Sequence, residues 1–332
     1  MTGAPVFKER VERANSARAE AEPVQDWLES LSFQESSLKY IEPAPSRPSA
    51  ALGLVTAVRA RGRGIIILSG PSSCGKGAIA SALRKTLQLP REDHISMGDA
   101  LRSTVERARS DAEFRERLGE TFNIWPEHLI FDPDHNDASV VTKARSYEVE
   151  LLDRFGTEPS QLDWLEYCVT AGLLVPDAWS EHIIEGVIAE RASQHEAVII
   201  LDGYPRTEAA ARHVLALSER LHIPIIKVIH LSVSKTEMQN RALGRQRSDD
   251  TPEMLERRYQ FYIDHVQPSV ELLKANLGSK SVSLIDAHQP EYRNDGSLDL
   301  DQSVRNVANR VLMALGVSRH ILEALGEQPT PG

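Results

Sequence analysis

The chain has 332 residues, 41% of them hydrophobic, enough for one large or two modest cores. Lys and Arg total 38 against 48 Asp and Glu, and the net charge of −10 argues against general binding to nucleic acid or to an anionic membrane. Two cysteines, Cys74 and Cys168, are too few for a disulfide framework. With no apolar run near about 20 residues and no signal-peptide core, a soluble cytoplasmic protein is expected.

Residues 1–60 read as an N-terminal appendage. Residues 6–22 are charged, Ala-rich and helical in pattern; Trp27, Leu28, Leu31 and Phe33 form an apolar patch; Pro43, Pro45 and Pro48 mark a linker. The segment fits a partly ordered tail and a protein-docking arm equally well. The main domain is expected over 61–320, with a tail over 321–332.

Residues 65–68 (Ile-Ile-Ile-Leu) run directly into Gly70-Pro-Ser-Ser-Cys-Gly75-Lys76-Gly77. A strand followed by this loop is a phosphate cradle. Glycines let the backbone N–H groups turn inward, Lys76 adds charge, and the helix over 78–87 points its positive dipole end at the same anion. Gly70, Ser72, Ser73, Gly75, Lys76 and Gly77 are the expected cofactor contacts. The loop fits GxxxxGK without the Ser or Thr that usually follows.

Further strands are expected over 94–96, 197–201, 225–231 and 281–285. Their near-continuous apolar runs suit strands buried on both faces of a parallel sheet. The fold class is therefore α/β, a doubly wound parallel sheet with flanking helices, whose ligands sit at the carboxyl ends of the strands. Residues 103–171 are polar and helical, with a turn-rich centre over 132–137, and read as an insertion. Residues 292–301 read as a polar loop.

Four more segments carry chemistry. They are Ile95-Ser96-Met97-Gly98-Asp99-Ala100-Leu101-Arg102, Gly172-Leu173-Leu174-Val175-Pro176-Asp177, Leu201-Asp202-Gly203-Tyr204-Pro205-Arg206-Thr207, and Arg241 to Asp250 with Arg258 beyond. With the phosphate loop they resemble the adenylate kinase family of nucleoside monophosphate kinases. That family carries a GKG loop, STGD-x-LR, G-x-LVPD, DGFPRT and an R-x-x-GR…R-x-DD…R series in this order. The resemblance covers about residues 64–105 and 168–290. Its chemistry suits these residues, because phosphoryl transfer gathers many negative oxygens and is driven mainly by positioning and charge neutralisation.

The resemblance implies ATP and Mg²⁺ as cofactors and a nucleoside monophosphate (NMP) as acceptor. It places Lys76 on the donor β- and γ-phosphates and Arg241 on the donor base. Arg102 and Arg206 would clamp the acceptor phosphate, with Met97, Gly98, Val175 and Gly203 lining its site. Arg245, Arg247 and Arg258 would bridge donor and acceptor, Asp249 and Asp250 would orient them, and Asp99 and Asp202 would hold Mg²⁺ through water. Arg257 is assigned to a solvated helix face, His182 and His213 to the surface, and Cys74 to filling space.

The chain departs from the family pattern at Ala78, which lacks the hydroxyl expected after the loop lysine; Ser72 and Ser73 are the substitutes at hand. Met97 and Ala210 stand where the family has Thr and an adenine-reading Gln, so acceptor recognition is expected to have changed. Asn123, Asn136 and Gln161 of the insertion are candidates to replace that Gln. A single residue, Gln246, separates Arg245 from Arg247, so the lid is short and has no room for a zinc-binding Cys cluster. The leading reading is an NMP kinase. The alternatives are a phosphate-loop kinase of another small acceptor and a nucleotide-binding regulatory module without turnover.

Overall fold

The computed structural model describes residues 41–44, 57–194, 197–245 and 251–326. The expectations for residues 6–22, the patch at Trp27–Phe33, and Pro45 and Pro48 lie outside them. Strand β1 (Ile41–Ala44) pairs antiparallel with β2 (Ala57–Ala60). Val58 of β2 is buried in the main core, and the Ala60 N–H donates to Leu87 O at 3.1 Å, so the end of the supposed appendage is fastened to the domain.

Strand β3 (Gly64–Ser69) leads through the glycine-rich loop into α1 (Lys76–Thr86). Then follow β4 (His94–Ser96), α2 (Met97–Ser110), α3 (Ala112–Phe122), α4 (Ala138–Arg145), α5 (Glu148–Phe155), α6 (Gln161–Ala171) and α7 (Asp177–Gln194). The chain continues through β5 (Val198–Asp202), α8 (Glu208–Arg220), β6 (Ile225–Ser232), α9 (Lys235–Arg245) and α10 (Pro252–Phe261). A π-helical turn at Tyr262–Val266 joins α10 to α11 (Gln267–Leu277), and β7 (Val282–Asp286), α12 (Leu300–Ala314) and α13 (Arg319–Gly326) complete it.

Five strands form one parallel sheet in the order β4-β5-β3-β6-β7. Each predicted strand falls within one residue of the observed bounds. Every residue of β3 and β5 is buried because helices cover both faces. Ile65 and Ile67 enter one core, Ile66 and Leu68 the other, as a two-residue period demands. Helices α1 and α12 cover the second face; α2, α3, α6, α7 and α8 cover the first. This is the doubly wound α/β arrangement expected.

Residues 103–171 are integral to that first core. Leu118, Ile124, Ile130, Leu151 and Trp164 are fully buried in the same apolar cluster as Ile65 and Ile199. Local rules shape the segment. Ser160 accepts from the Asp163 N–H while Asp163 accepts from the Ser160 N–H, capping α6 at its start. Gly172, at φ 68°, ends α6 in the left-handed region. The turn-rich centre is held by Asn136 Nδ2, which donates to Leu129 O and Asp132 O, each at 2.8 Å. A buried ion pair, with Arg191 Nε donating to Asp93 Oδ1 at 3.1 Å, ties α7 to the turn before β4.

Candidate functional site

The loop over 70–77, expected to cradle phosphate, sits at the carboxyl end of β3, on a cleft of about 640 Å³. Gly70 has φ 140°, and a Cβ there would lie 2.4 Å from Leu231 O, so only glycine fits against β6. Gly75 has φ 94° and Ser73 φ 61°, and these left-handed turns curl the loop. Lys76 Nζ donates to Gly70 O at 3.0 Å and Pro71 O at 2.8 Å, so the ammonium is held against the loop. Cys74 Sγ lies 3.7 Å from Nζ, and the cysteine is buried, as a space-filling residue would be.

Cationic side chains converge on this cleft from separate elements. Arg102 comes from α2, Arg206 from the turn after β5, and Arg257 and Arg258 from α10. Arg257 is exposed, as a residue of a solvated helix face would be, and it also lines the cleft with Arg258. Arg206 Nε donates to Gly203 O at 2.7 Å, and burial draws its pKa down against the opposing charge of Asp202. Thr207 caps α8 and donates to both oxygens of Asp177 at 3.1 Å, joining two of the sequence motifs.

Asp202 ends β5, largely buried, opposite Leu68 of β3 and Ser96 of β4. A Cβ on Gly77 would lie 3.8 Å from Asp202 Oδ2, which puts the carboxylate beside the start of α1. His94 Nε2 is 3.7 Å from that same oxygen, beyond hydrogen-bond reach. Asp99 is exposed and paired with Arg102. Burial would raise its pKa, but the hydrogen bond and charge of Arg102, helped by Ser96 and His94, hold it below the usual carboxylate range.

Gly98, Gly203 and Ser72 line the cleft with the loop residues. Met97 and Val175 instead line a small adjoining cavity of about 30 Å³, with Leu101, Tyr204 and Ala210. Arg241 lies beside the loop, donating through Nη1 to Cys74 O at 3.4 Å and through Nη2 to Ala287 O at 3.0 Å. Glu237 accepts from Arg241 Nε at 2.6 Å and contacts His288 at 3.1 Å. Arg247, Asp249, Asp250, Gln246 and the side chain of Arg245 lie outside the described residues.

The three insertion candidates for base reading are committed elsewhere. Gln161 accepts from the Trp125 N–H at 2.8 Å and donates to Asn136 Oδ1 at 2.9 Å. Asn123 ends α3 in the left-handed region and accepts from Trp125 Nε1 at 3.3 Å. Lys143 and Tyr147, which no motif marked, line the cleft in their place. His182 is exposed as expected, but His213 is largely covered and contacts Tyr204 OH at 2.8 Å and Glu185 at 3.4 Å.

Several curated proteins are similar to this chain. The adenylate kinase of Xylella fastidiosa (strain 9a5c) is 28% identical over 257 residues, 76% of this chain and 98% of the relative. That of Mycobacterium sp. (strain MCS) is 28% identical over 253 residues, with the same coverage of 76% and 98%. That of Leptospira biflexa serovar Patoc is 26% identical over 216 residues, 63% of this chain and 86% of the relative. No family model matches the chain. The parallel sheet, the glycine-rich loop and the cationic cleft thus lie in a chain that is 26–28% identical to these adenylate kinases.

Proposed function

We propose that the protein is a nucleoside monophosphate kinase, transferring the γ-phosphoryl group of ATP to an NMP. One observation carries this reading. Lys76, Arg102, Arg206, Arg257 and Arg258 reach a single cleft from four parts of the fold. A site that only held one nucleotide would need the loop and its lysine. Two phosphate chains meeting in line need guanidiniums from several directions.

In this reading the loop N–H groups and Lys76 hold the donor phosphates. Arg206, fixed by Gly203 O, and Arg102 hold the acceptor phosphate. Arg258 and Arg257 close the α10 side, and Arg241 lies against the donor nucleoside. Asp202 and the serine hydroxyls are oxygen donors of the kind a hard divalent cation takes. Ser73 Oγ is buried without a hydrogen-bond partner, so it fits the role that Ala78 cannot fill. Among the described residues no cluster of three His, Cys, Asp or Glu could hold a metal by itself. Mg²⁺, when bound, neutralises phosphate charge during transfer.

A coupled ADP-release assay with ATP, Mg²⁺ and AMP, CMP, UMP, GMP or dTMP tests the reading. Turnover with at least one NMP is expected. ATP binding with no turnover of any NMP would assign the chain to a binding role or to another acceptor. Among the described residues no helix is long and apolar enough to cross a membrane.

A further inference from the structure

We propose that Lys143 and Tyr147 form the base-reading wall of the acceptor site and select NMPs whose bases carry a carbonyl oxygen where adenine carries its amino group, guanine, uracil or thymine, over AMP. This rests on the NMP kinase reading above.

The cleft lining divides by chemistry. The phosphate loop and the arginines give it a cationic side, and Tyr147, Leu173 and Leu174 give an apolar wall with one ammonium, Lys143, set among them. Phosphates belong with the first group and a flat aromatic base with the second. Two positions that the motif pattern assigns to acceptor recognition, Met97 and Ala210, are closed. Ala210 is 1% exposed and Met97 3%, and the cavity beside them is about 30 Å³. That is room for a water molecule or so, not for a base. Recognition therefore falls to the wall of the larger cleft.

Lysine offers three donors and no acceptor. Lys143 Nζ spends one on Leu174 O at 2.7 Å, leaving two for a ligand. Burial draws its pKa down, opposed by Cys168 and Asp177, so the ammonium gains from a further acceptor. The O6 of guanine or the O4 of uracil or thymine is such an acceptor, whereas adenine carries an amino group at that position and would oppose donor to donor there. Tyr147 is braced by Tyr167 and Trp164, at ring-centre distances of 5.7 and 6.1 Å, which fixes an aromatic wall beside that ammonium. A hydrogen bond to a charged group changes affinity by roughly tenfold to a hundredfold.

The test measures kcat/KM for AMP, GMP, UMP and dTMP with ATP and Mg²⁺, and the calorimetric affinity of the same four nucleotides, using the full chain. The wild type is expected to prefer at least one carbonyl-bearing NMP over AMP by about tenfold or more. Lys143→Met should lower that NMP's affinity and kcat/KM by about tenfold and leave AMP within about twofold. Lys143→Gln, which can donate and accept, should narrow the gap by improving AMP. AMP bound and used as well as every other NMP, or an equal loss for all four in Lys143→Met, would overturn the proposal. Lys143-dependent selective binding without turnover would support it while sinking the kinase reading, and no binding of any NMP would sink both. If circular dichroism shows Lys143→Met unfolded, the wild-type preference and Lys143→Gln decide.

Discussion

The Tyr262 hydroxyl and His230 Nε2 lie 2.8 Å apart in a buried contact that joins β6 to the helix carrying Arg257 and Arg258. His230 stands beside Ser69, the last residue before the phosphate loop, and Tyr262 opens the π-helical turn. The sheet end and the arginine helix are thus fastened at the floor of the cleft. Tyr262→Phe would leave His230 with neither ring nitrogen satisfied, because Nδ1 already lacks a partner. A loss of about 1–3 kcal/mol is expected. Urea unfolding measures it, and a midpoint unchanged from wild type would show that the bond contributes nothing.

Burial, with repulsion from Lys76, pushes the His230 pKa down to about 4, against a raising influence from Glu271. The unfolded chain binds a proton near pH 6.5 that the folded chain refuses until about pH 4. Stability from this group is therefore complete above pH 6.5 and is lost as pH falls toward 4, by roughly 3 kcal/mol in all. Unfolding free energies across this range should show a smaller decline in His230→Gln than in wild type. Parallel curves would show that another group sets the slope.

Lys76→Ala should lower kcat by a factor on the order of 10²–10³, because the ammonium acts on phosphate charge. The melting temperature should stay near wild type, since the lysine's own contacts stay within the loop, at Gly70 O, Pro71 O and Cys74 Sγ. Wild-type turnover in this variant would refute the phosphate-loop assignment.

Arg258→Ala should act on kcat more than on either KM, by roughly 10³–10⁵-fold if its contact strengthens in the transition state. Arg247→Ala should behave in the same way. Arg257→Ala, at an exposed position on the cleft, should have a smaller effect. Steady-state kinetics separates these outcomes, and a pure KM effect at Arg258 would assign it to ground-state binding.

Gly70→Ala forces a Cβ to 2.4 Å from Leu231 O at a φ of 140°, so loop and strand must part. Both stability and ATP affinity should fall, the former by at least about 1–3 kcal/mol. Thermal melting with and without ATP checks this, and an unchanged ATP-induced shift would show that the loop tolerates the displacement.

The sheet and the glycine-rich turn after β3 were legible in the sequence because short-range rules govern them. Apolar β-branched runs mark buried strands, and glycines mark left-handed turns, so β3 and Gly75 were located from their neighbours alone. The motif order also brought Lys76, Arg102, Arg206 and Arg258 to one cleft. Other assignments depended on contacts between distant segments. Polar composition made 103–171 read as an insertion, yet its sparse apolar residues, Trp164 and Leu151 among them, join the apolar cluster that includes one face of the central sheet. Arg257 is exposed, and only the placement of α10 puts it on the lining of the cleft. Lys143 belongs to no motif; its place on the cleft is set by the packing of α4 and by Leu174 O, 31 residues along the chain. Local propensity determined where the strands and the phosphate loop begin. Which side chains share the cleft was decided by tertiary packing, because apolar burial has no direction along the sequence and joins whatever surfaces the fold brings together.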